Sequence, residues 1–295
     1  MKKEIKKYTN KNTIILLPKF DLDIYESLKE LCPYIVKIGN VTEEKEIVTI
    51  LNQSNIKKIY LVGNNDFYRY LLPRLKKEIK VCWIFKNSFA NISNFDVRVI
   101  LNIIFEFIDR NMLFSIGCVN KSMVKVFENA GYNCEYIELK PKLKKQKYIE
   151  SNDIGILSND YDPNNNYYNQ LASLKLVNYN KCKLRPFMGE TYRFCEFFEI
   201  NYERYENIDD VIKNNFVNLY INFTNTNTEL IEKSYQYEIP CLVGNTDFYD
   251  DNKYLKENLV LKSDDDVSEI AEKINFVKKN RVKIIEEYNK LKSLK

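Results

Sequence analysis

The sequence predicts an α/β protein built around two parallel sheets, and three observations carry that prediction. Short β-rich runs alternate with amphipathic helical patterns from end to end. The helical stretches between them are long enough for the right-handed crossovers that parallel pairing requires. A charged stretch without apolar periodicity, PKLKKQKYIESND over 141–153, divides one alternating series from a second, and 295 residues suffice for two domains.

In the first series the β-rich runs are 13–17, 34–38, 58–62, 80–85, 113–118 and 134–139, with helical patterns at 23–32, 44–53, 67–77, 97–110 and 121–131. Residues 1–145 therefore read as one Rossmann-like domain. The second series fills 146–295, with strands at 153–158, 181–184, 218–223, 241–243 and 258–261. Its helices fall at 166–177, 190–198, 208–214 and 229–237. The tail from 263 reads as a helix capped by Asp264, Asp265 and Asp266, followed by another helix. Trp83, inside VCWIF, is expected to be buried.

Composition bounds the function. Hydrophobic content of 45% and charged content of 29% are those of a soluble globular chain. No apolar run approaches the roughly 18 residues of a membrane span. The basic N-terminus leads only into TIILL, too short for a signal peptide, so the expected location is cytoplasmic. Seven scattered cysteines without a CxxC pair point to buried thiols in a reducing compartment. The absence of histidine excludes a Ser-His-Asp triad and histidine-rich metal sites. A net charge of +4 gives no reason to expect nucleic acid as a partner. Lysines cluster at the N-terminus and at 140–147; both read as solvated surface, and the first also suits peripheral contact with anionic lipid.

The most informative stretch is 218–249, NLYINFTNTNTELIEKSYQYEIPCLVGNTDFY. It reads as a strand, a polar loop TNTNT, a helix ending before Pro240, a short strand and a Gly244-Asn245 loop. Ligands bind at the carboxyl ends of parallel strands and anions at helix N-termini, so this unit has the shape of a phosphate or nucleotide site.

Together with the NLVL and DDDVSEIAEKI tail, these residues resemble the donor-binding domain of GT-B glycosyltransferases, in particular the large retaining family acting on nucleotide sugars. The resemblance is most specific over 216–275, weakens over 153–215 and is architectural in the first half. It implies two Rossmann-like domains with parallel sheets facing across a cleft, the acceptor on 1–145 and the donor on 146–295. It further implies transfer of a hexose from a UDP- or GDP-sugar to a sugar, lipid-linked or protein acceptor, without a metal. Thr224, Asn225, Thr226, Asn227 and Thr228 would meet the donor phosphates, joined by Asn159 of the loop SNDYDPNNNYYNQ and by Arg185 beyond a strand end.

The family carries a spaced pair of glutamates ahead of its proline. Counting back from Pro240 without a gap puts Lys233 and Asn225 at those places. Glu229 and Glu232 stand close by and are the candidates to meet sugar or ribose, with Lys233 offsetting phosphate charge. The family's basic pair, its first-domain glycine loop and its histidine near the sugar have no counterpart here. Those departures suit an alternative, a catalytically degenerate subunit that partners an active glycosyltransferase; a small-molecule-binding protein of two Rossmann lobes is a third reading. On the acceptor side, Asn64 and Asp66 follow a strand, with Asp66 a ligand or a helix cap, and Lys121 of GCVNKS follows another.

Overall fold

The computed structural model describes residues 1–19, 25–39, 43–86, 95–138, 145–158, 160, 165–186, 188–223, 228–244 and 246–293. The chain divides into two compact units, Met1–Lys142 and Leu143–Lys295.

The first unit holds a parallel sheet of β1 (Thr13–Pro18), β2 (Ile35–Ile38), β3 (Lys58–Val62), β4 (Lys80–Phe85), β5 (Ser115–Cys118) and β6 (Cys134–Tyr136), in the order β2-β1-β3-β4-β5-β6. The helices are α1 (Lys2–Lys7), α2 (Tyr25–Leu31), α3 (Glu44–Gln53), α4 (Asp66–Leu71), α5 (Phe95–Asp109) and α6 (Lys121–Asn129). KIYLV and VCWIF are almost continuously apolar because both faces of a central parallel strand are covered. Two apolar clusters cover those faces. Trp83 is fully buried, and its Nε1 donates to the Gly63 carbonyl at 3.0 Å. The Tyr68 hydroxyl, also buried, lies 2.9 Å from the Leu16 carbonyl and 3.0 Å from that of Val62.

Two readings of this unit change. The basic N-terminus is not simply solvated surface: it forms α1, seated through buried Ile5, with Lys2 ion-paired to Glu43 and Glu46. The cap of α4 is Asn65 rather than Asp66; the Asn65 carboxamide accepts from the Phe67 N–H at 3.0 Å. Pro73 then ends the helical stretch in a short 3₁₀ turn.

The second unit holds β7 (Ile154–Ile156), β8 (Cys182–Leu184), β9 (Tyr202–Arg204), β10 (Val217–Tyr220) and β11 (Cys241–Val243), parallel in the order β11-β10-β7-β8-β9. Around them lie α7 (Tyr167–Ser173), α8 (Gly189–Phe197), α9 (Ile208–Ile212), α10 (Thr228–Gln236), α11 (Lys253–Leu259) and α12 (Val267–Ser293). The first half of the expected strand at 258–261 is the end of α11, which Asn252 caps by accepting from the Leu255 N–H; Val260 makes a single bridge to Val243. The tail is one helix of 27 residues, not two, since no glycine or proline interrupts it. Asp266 caps it, accepting from the N–H groups of Ser268 and Glu269 at 2.9 and 3.1 Å.

Buried polar groups lock this unit. In β10, Asn218 donates to Ser234 Oγ at 2.7 Å and to the Ile212 carbonyl at 3.1 Å. Asn215 donates to Asn218 Oδ1 at 2.7 Å and to the Val211 carbonyl at 2.6 Å. Gly155 of β7 faces this cluster: a Cβ there would fall 2.3 Å from Asn218 Oδ1. Helix α12 packs on α10 through Tyr288, whose ring stacks on Tyr235 with centroids 3.6 Å apart and planes within 5°.

All seven cysteines are free thiols, and every one except Cys134 is buried. Burial raises their pKa values, that of Cys195 to about 11. The native protein at pH 8 is therefore expected to expose at most Cys134 to a thiol-reactive dye within minutes, and all seven after unfolding in guanidinium. Rapid native labelling of several thiols would contradict the packing. Among the described residues no helix is long and apolar enough to cross a membrane.

Candidate functional site

In an open parallel sheet the ligand crevice lies beyond the carboxyl ends of the strands, where the strand order reverses. In the second unit that point lies between β7 and β10. The residues just past it form a buried polar constellation. Ser158, after β7, donates to Asn222 Oδ1, after β10, at 2.9 Å. Gln170 of α7 donates to Ser158 Oγ at 3.2 Å and to the Ile221 carbonyl at 3.0 Å. All three side chains are buried. Beyond β11, a Cβ on Gly244 would fall 2.5 Å from the Asn222 carbonyl and 3.0 Å from the Asp264 carboxylate, so only glycine fits this edge unchanged.

Helices α8 and α10 are among those that begin at this edge. Asp160 fills the start of α8: its Oδ2 accepts from the Met188 N–H at 2.8 Å and from Thr191 Oγ1 at 2.6 Å. A protein carboxylate thus already meets the dipole of α8. At α10 the first turn carries Thr228 and the buried Glu229.

Of the residues singled out in the sequence, Asn159, Thr224, Asn225, Thr226 and Asn227 lie outside the described residues. Thr228 is the first residue of α10. Lys233, one turn after Glu229, has its ammonium 3.8 Å from Glu229 Oε1 and 3.6 Å from Asp209 Oδ1. Glu232 is buried toward α12, accepting from the Tyr288 hydroxyl at 2.6 Å with the Lys292 ammonium at 2.7 Å. Arg185 is half-buried immediately after β8. In the first unit Asn64 and Asp66, both exposed, follow β3. Lys121 opens α6 after β5, where Asn120 is the cap, and its ammonium lies 5.8 Å from the Tyr136 ring centroid. Thr228 and Glu229, in the first turn of α10, and Arg185 thus share the carboxyl edge of one sheet, with Glu232 and Lys233 further along the helix; Asn64, Asp66 and Lys121 share that of the other.

Sequence reasoning missed Ser158, Asp160, Gln170, Asn222 and Thr191. The signal was there in part: Ser158 and Asn222 are short polar residues directly after apolar strands. The partners Gln170 and Thr191 sit inside helical patterns, where nothing marks them as inward-facing.

Comparison with solved structures places this architecture. A glycosyltransferase from Rickettsia africae ESF-5 superposes with a TM-score of 0.60 over 94% of this chain and 92% of its own, at 11% identity. Anabaena Alr3699/HepE, in complex with UDP and glucose, gives a TM-score of 0.60 over 94% and 92%, at 9% identity. S. aureus TarM, solved with UDP bound, gives 0.58 at 11% identity; the match covers 79% of this chain and 50% of that one. No family model matches the sequence. No curated protein matches it either. The chain has the fold of GT-B glycosyltransferases, structurally similar to retaining members of that class.

Proposed function

We propose that the chain is a glycosyltransferase that moves a hexose from a nucleoside diphosphate to a carbohydrate or glycoconjugate acceptor. The observation that carries this reading is the polar constellation at the strand-order reversal of the second sheet, next to the start of α10. There the N–H groups of the first α10 turn meet a diphosphate, as fixed dipoles that need no reorganisation when the leaving group gains charge. Glu229, in that turn, accepts from a sugar or ribose hydroxyl, and its partner Lys233 offsets phosphate charge. Arg185 stands beyond β8 as a second cation for the diphosphate. The nucleotides bound to HepE and TarM in their solved complexes support a uridine nucleotide as the first donor to test. The acceptor falls to the first unit, with Asn64, Asp66 and Lys121 at the edge that meets it.

Titration calorimetry with UDP, GDP and their glucose conjugates tests this. The expected result is micromolar binding of one nucleotide by the wild type, weakened by about tenfold in Glu229→Ala, as for loss of one hydrogen bond to a charged group. A second reading, the degenerate subunit that partners an active glycosyltransferase, is favoured by one observation: the Glu232 carboxylate is engaged by Tyr288 and Lys292. Absence of binding by the wild type, with affinity gained in Lys233→Glu, selects that reading.

A further inference from the structure

The cations of this protein are unevenly divided. Residues 1–142 hold 23 lysines and arginines against 16 acidic residues, and the remainder holds 22 against 25, so the halves carry +7 and −3 of the overall +4. The excess does not collect at the carboxyl edge of the first sheet. Among the described residues there, Lys2, Lys19, Lys86 and Lys121 stand against Glu43, Glu44, Glu46 and Asp66.

It collects at the opposite, amino edge, because the segments leading into β1, β3 and β4 are stitched together there. The Asn55 N–H donates to the Thr9 carbonyl at 2.8 Å, and that of Lys57 to the Asn12 carbonyl at 2.7 Å. The Lys80 N–H donates to the Lys57 carbonyl at 2.8 Å, and the Lys76 N–H to Asn52 Oδ1 at 2.8 Å. These bonds gather Lys7, Lys11, Lys57, Lys76, Lys77 and Lys80 on one face. Among the described residues, none of the six has a carboxylate within 4.0 Å. Of the acids at this end, Glu135 is engaged by Lys58 and Glu106 by Arg110, while Glu30, Glu78, Asp109 and Glu128 are exposed counter-charges.

Two further features lie on this face. Phe114 is 47% exposed, with the Lys80 ammonium 4.3 Å from its ring centroid. A cavity of about 490 Å³ opens beside Lys11, lined also by Asn10, Asn12, Thr13 and Tyr34.

We propose that the amino edge of the first unit docks on an anionic phospholipid bilayer. Clustered lysines draw a protein to the negative surface of a membrane within a Debye length. An aromatic ring beside lysines suits the headgroup level, and the cavity next to Lys11, with polar and apolar walls, lies on the same face. Nucleic acid is disfavoured because the six cations are lysines spread over a face, without the arginine forks that read phosphates bidentately. The proposal is independent of the donor site, which belongs to the other unit.

The test is co-sedimentation of the full chain with phosphatidylcholine vesicles, with and without about one-third phosphatidylserine, at roughly 0.1 M and 0.5 M salt. Binding is expected to the anionic vesicles at low salt and not to the neutral ones. The variant Lys57→Glu/Lys76→Glu/Lys77→Glu is expected to lower the partition coefficient by about 100-fold, from the per-lysine contribution at such surfaces. The variant Lys253→Glu/Lys279→Glu/Lys283→Glu, with the same charge change in the other unit, is expected to stay within about threefold. Circular dichroism checks that both remain folded. Absence of vesicle binding, an equal loss in the second variant, or tighter binding to a DNA duplex than to vesicles would each overturn the proposal.

Discussion

Gly155→Ala is expected to destabilise the second unit by about 3 kcal/mol or more, the sum of overpacking a filled core and breaking a buried amide network. Gly155 pairs with Asn218 across β7 and β10 and is covered from above by the carboxamides of Asn215 and Asn218. A Cβ would stand 2.3 Å from Asn218 Oδ1, 2.5 Å from Asn215 Nδ2 and 2.7 Å from the Val211 carbonyl. Those amides cannot step aside cheaply. Asn218 is held by Ser234 and by the Ile212 carbonyl, and Asn215 by Val211, so any shift leaves buried polar groups without partners. At about 2–4 °C per kcal/mol for a unit of this size, the thermal midpoint should fall by roughly 10 °C. Trp83, the single tryptophan, lies in the first unit and separates the effects: far-UV dichroism should report the loss, with a smaller shift in Trp83 fluorescence. A variant that melts like the wild type by both probes would mean the cluster repacks freely.

The second large effect is expected at Tyr288. Tyr288→Ala should cost about 4 kcal/mol, the scale for deleting a buried aromatic ring. The ring stacks on Tyr235, and its hydroxyl donates to Glu232 at 2.6 Å, so the substitution opens the α10–α12 contact and strips the carboxylate of its neutral partner. Tyr288→Phe keeps the stack and loses the bond, for about 1.5–3 kcal/mol. Urea unfolding measures both. Glu232→Gln completes the argument about role: a carboxylate that serves α12 should lose stability when neutralised and leave nucleotide affinity unchanged within twofold. A selective loss of affinity at full stability would return Glu232 to the donor.

Much of the fold was legible because apolar periodicity is local. The apolar runs of β1, β3 and β4 contain enough buried β-branched and aromatic residues to announce themselves. What escaped was set by tertiary contact. Strand β9 is Tyr-Glu-Arg at the sheet edge, none of it buried, and three such residues carry no pattern. Residues 258–259 belong to a helix because Asn252 starts one upstream, although Asn-Leu-Val-Leu alone favours a strand. Of the candidate site, the strand before the polar loop and the helix after it were legible. Its individual residues were not: Glu232 looks like a surface carboxylate until α12 is folded against it, and Asp160 like a loop residue until the start of α8 is brought to it.

Tyr68 and Trp83 take up carbonyls at the carboxyl ends of the first sheet's strands. The first sheet has its own reversal of strand order, between β1 and β3. An aromatic side chain spans it. The Tyr68 phenol reaches the carbonyls of Leu16 and Val62 on either side of the gap, and the Trp83 indole takes that of Gly63 just beyond. The matching gap in the second sheet is bridged by a carboxamide instead, Gln170 donating to Ser158 Oγ and to the Ile221 carbonyl. Two sheets of kindred winding thus close the same topological gap with different chemistry, a phenol in one and a carboxamide in the other, and the difference rests on a few side chains rather than on the course of the backbone.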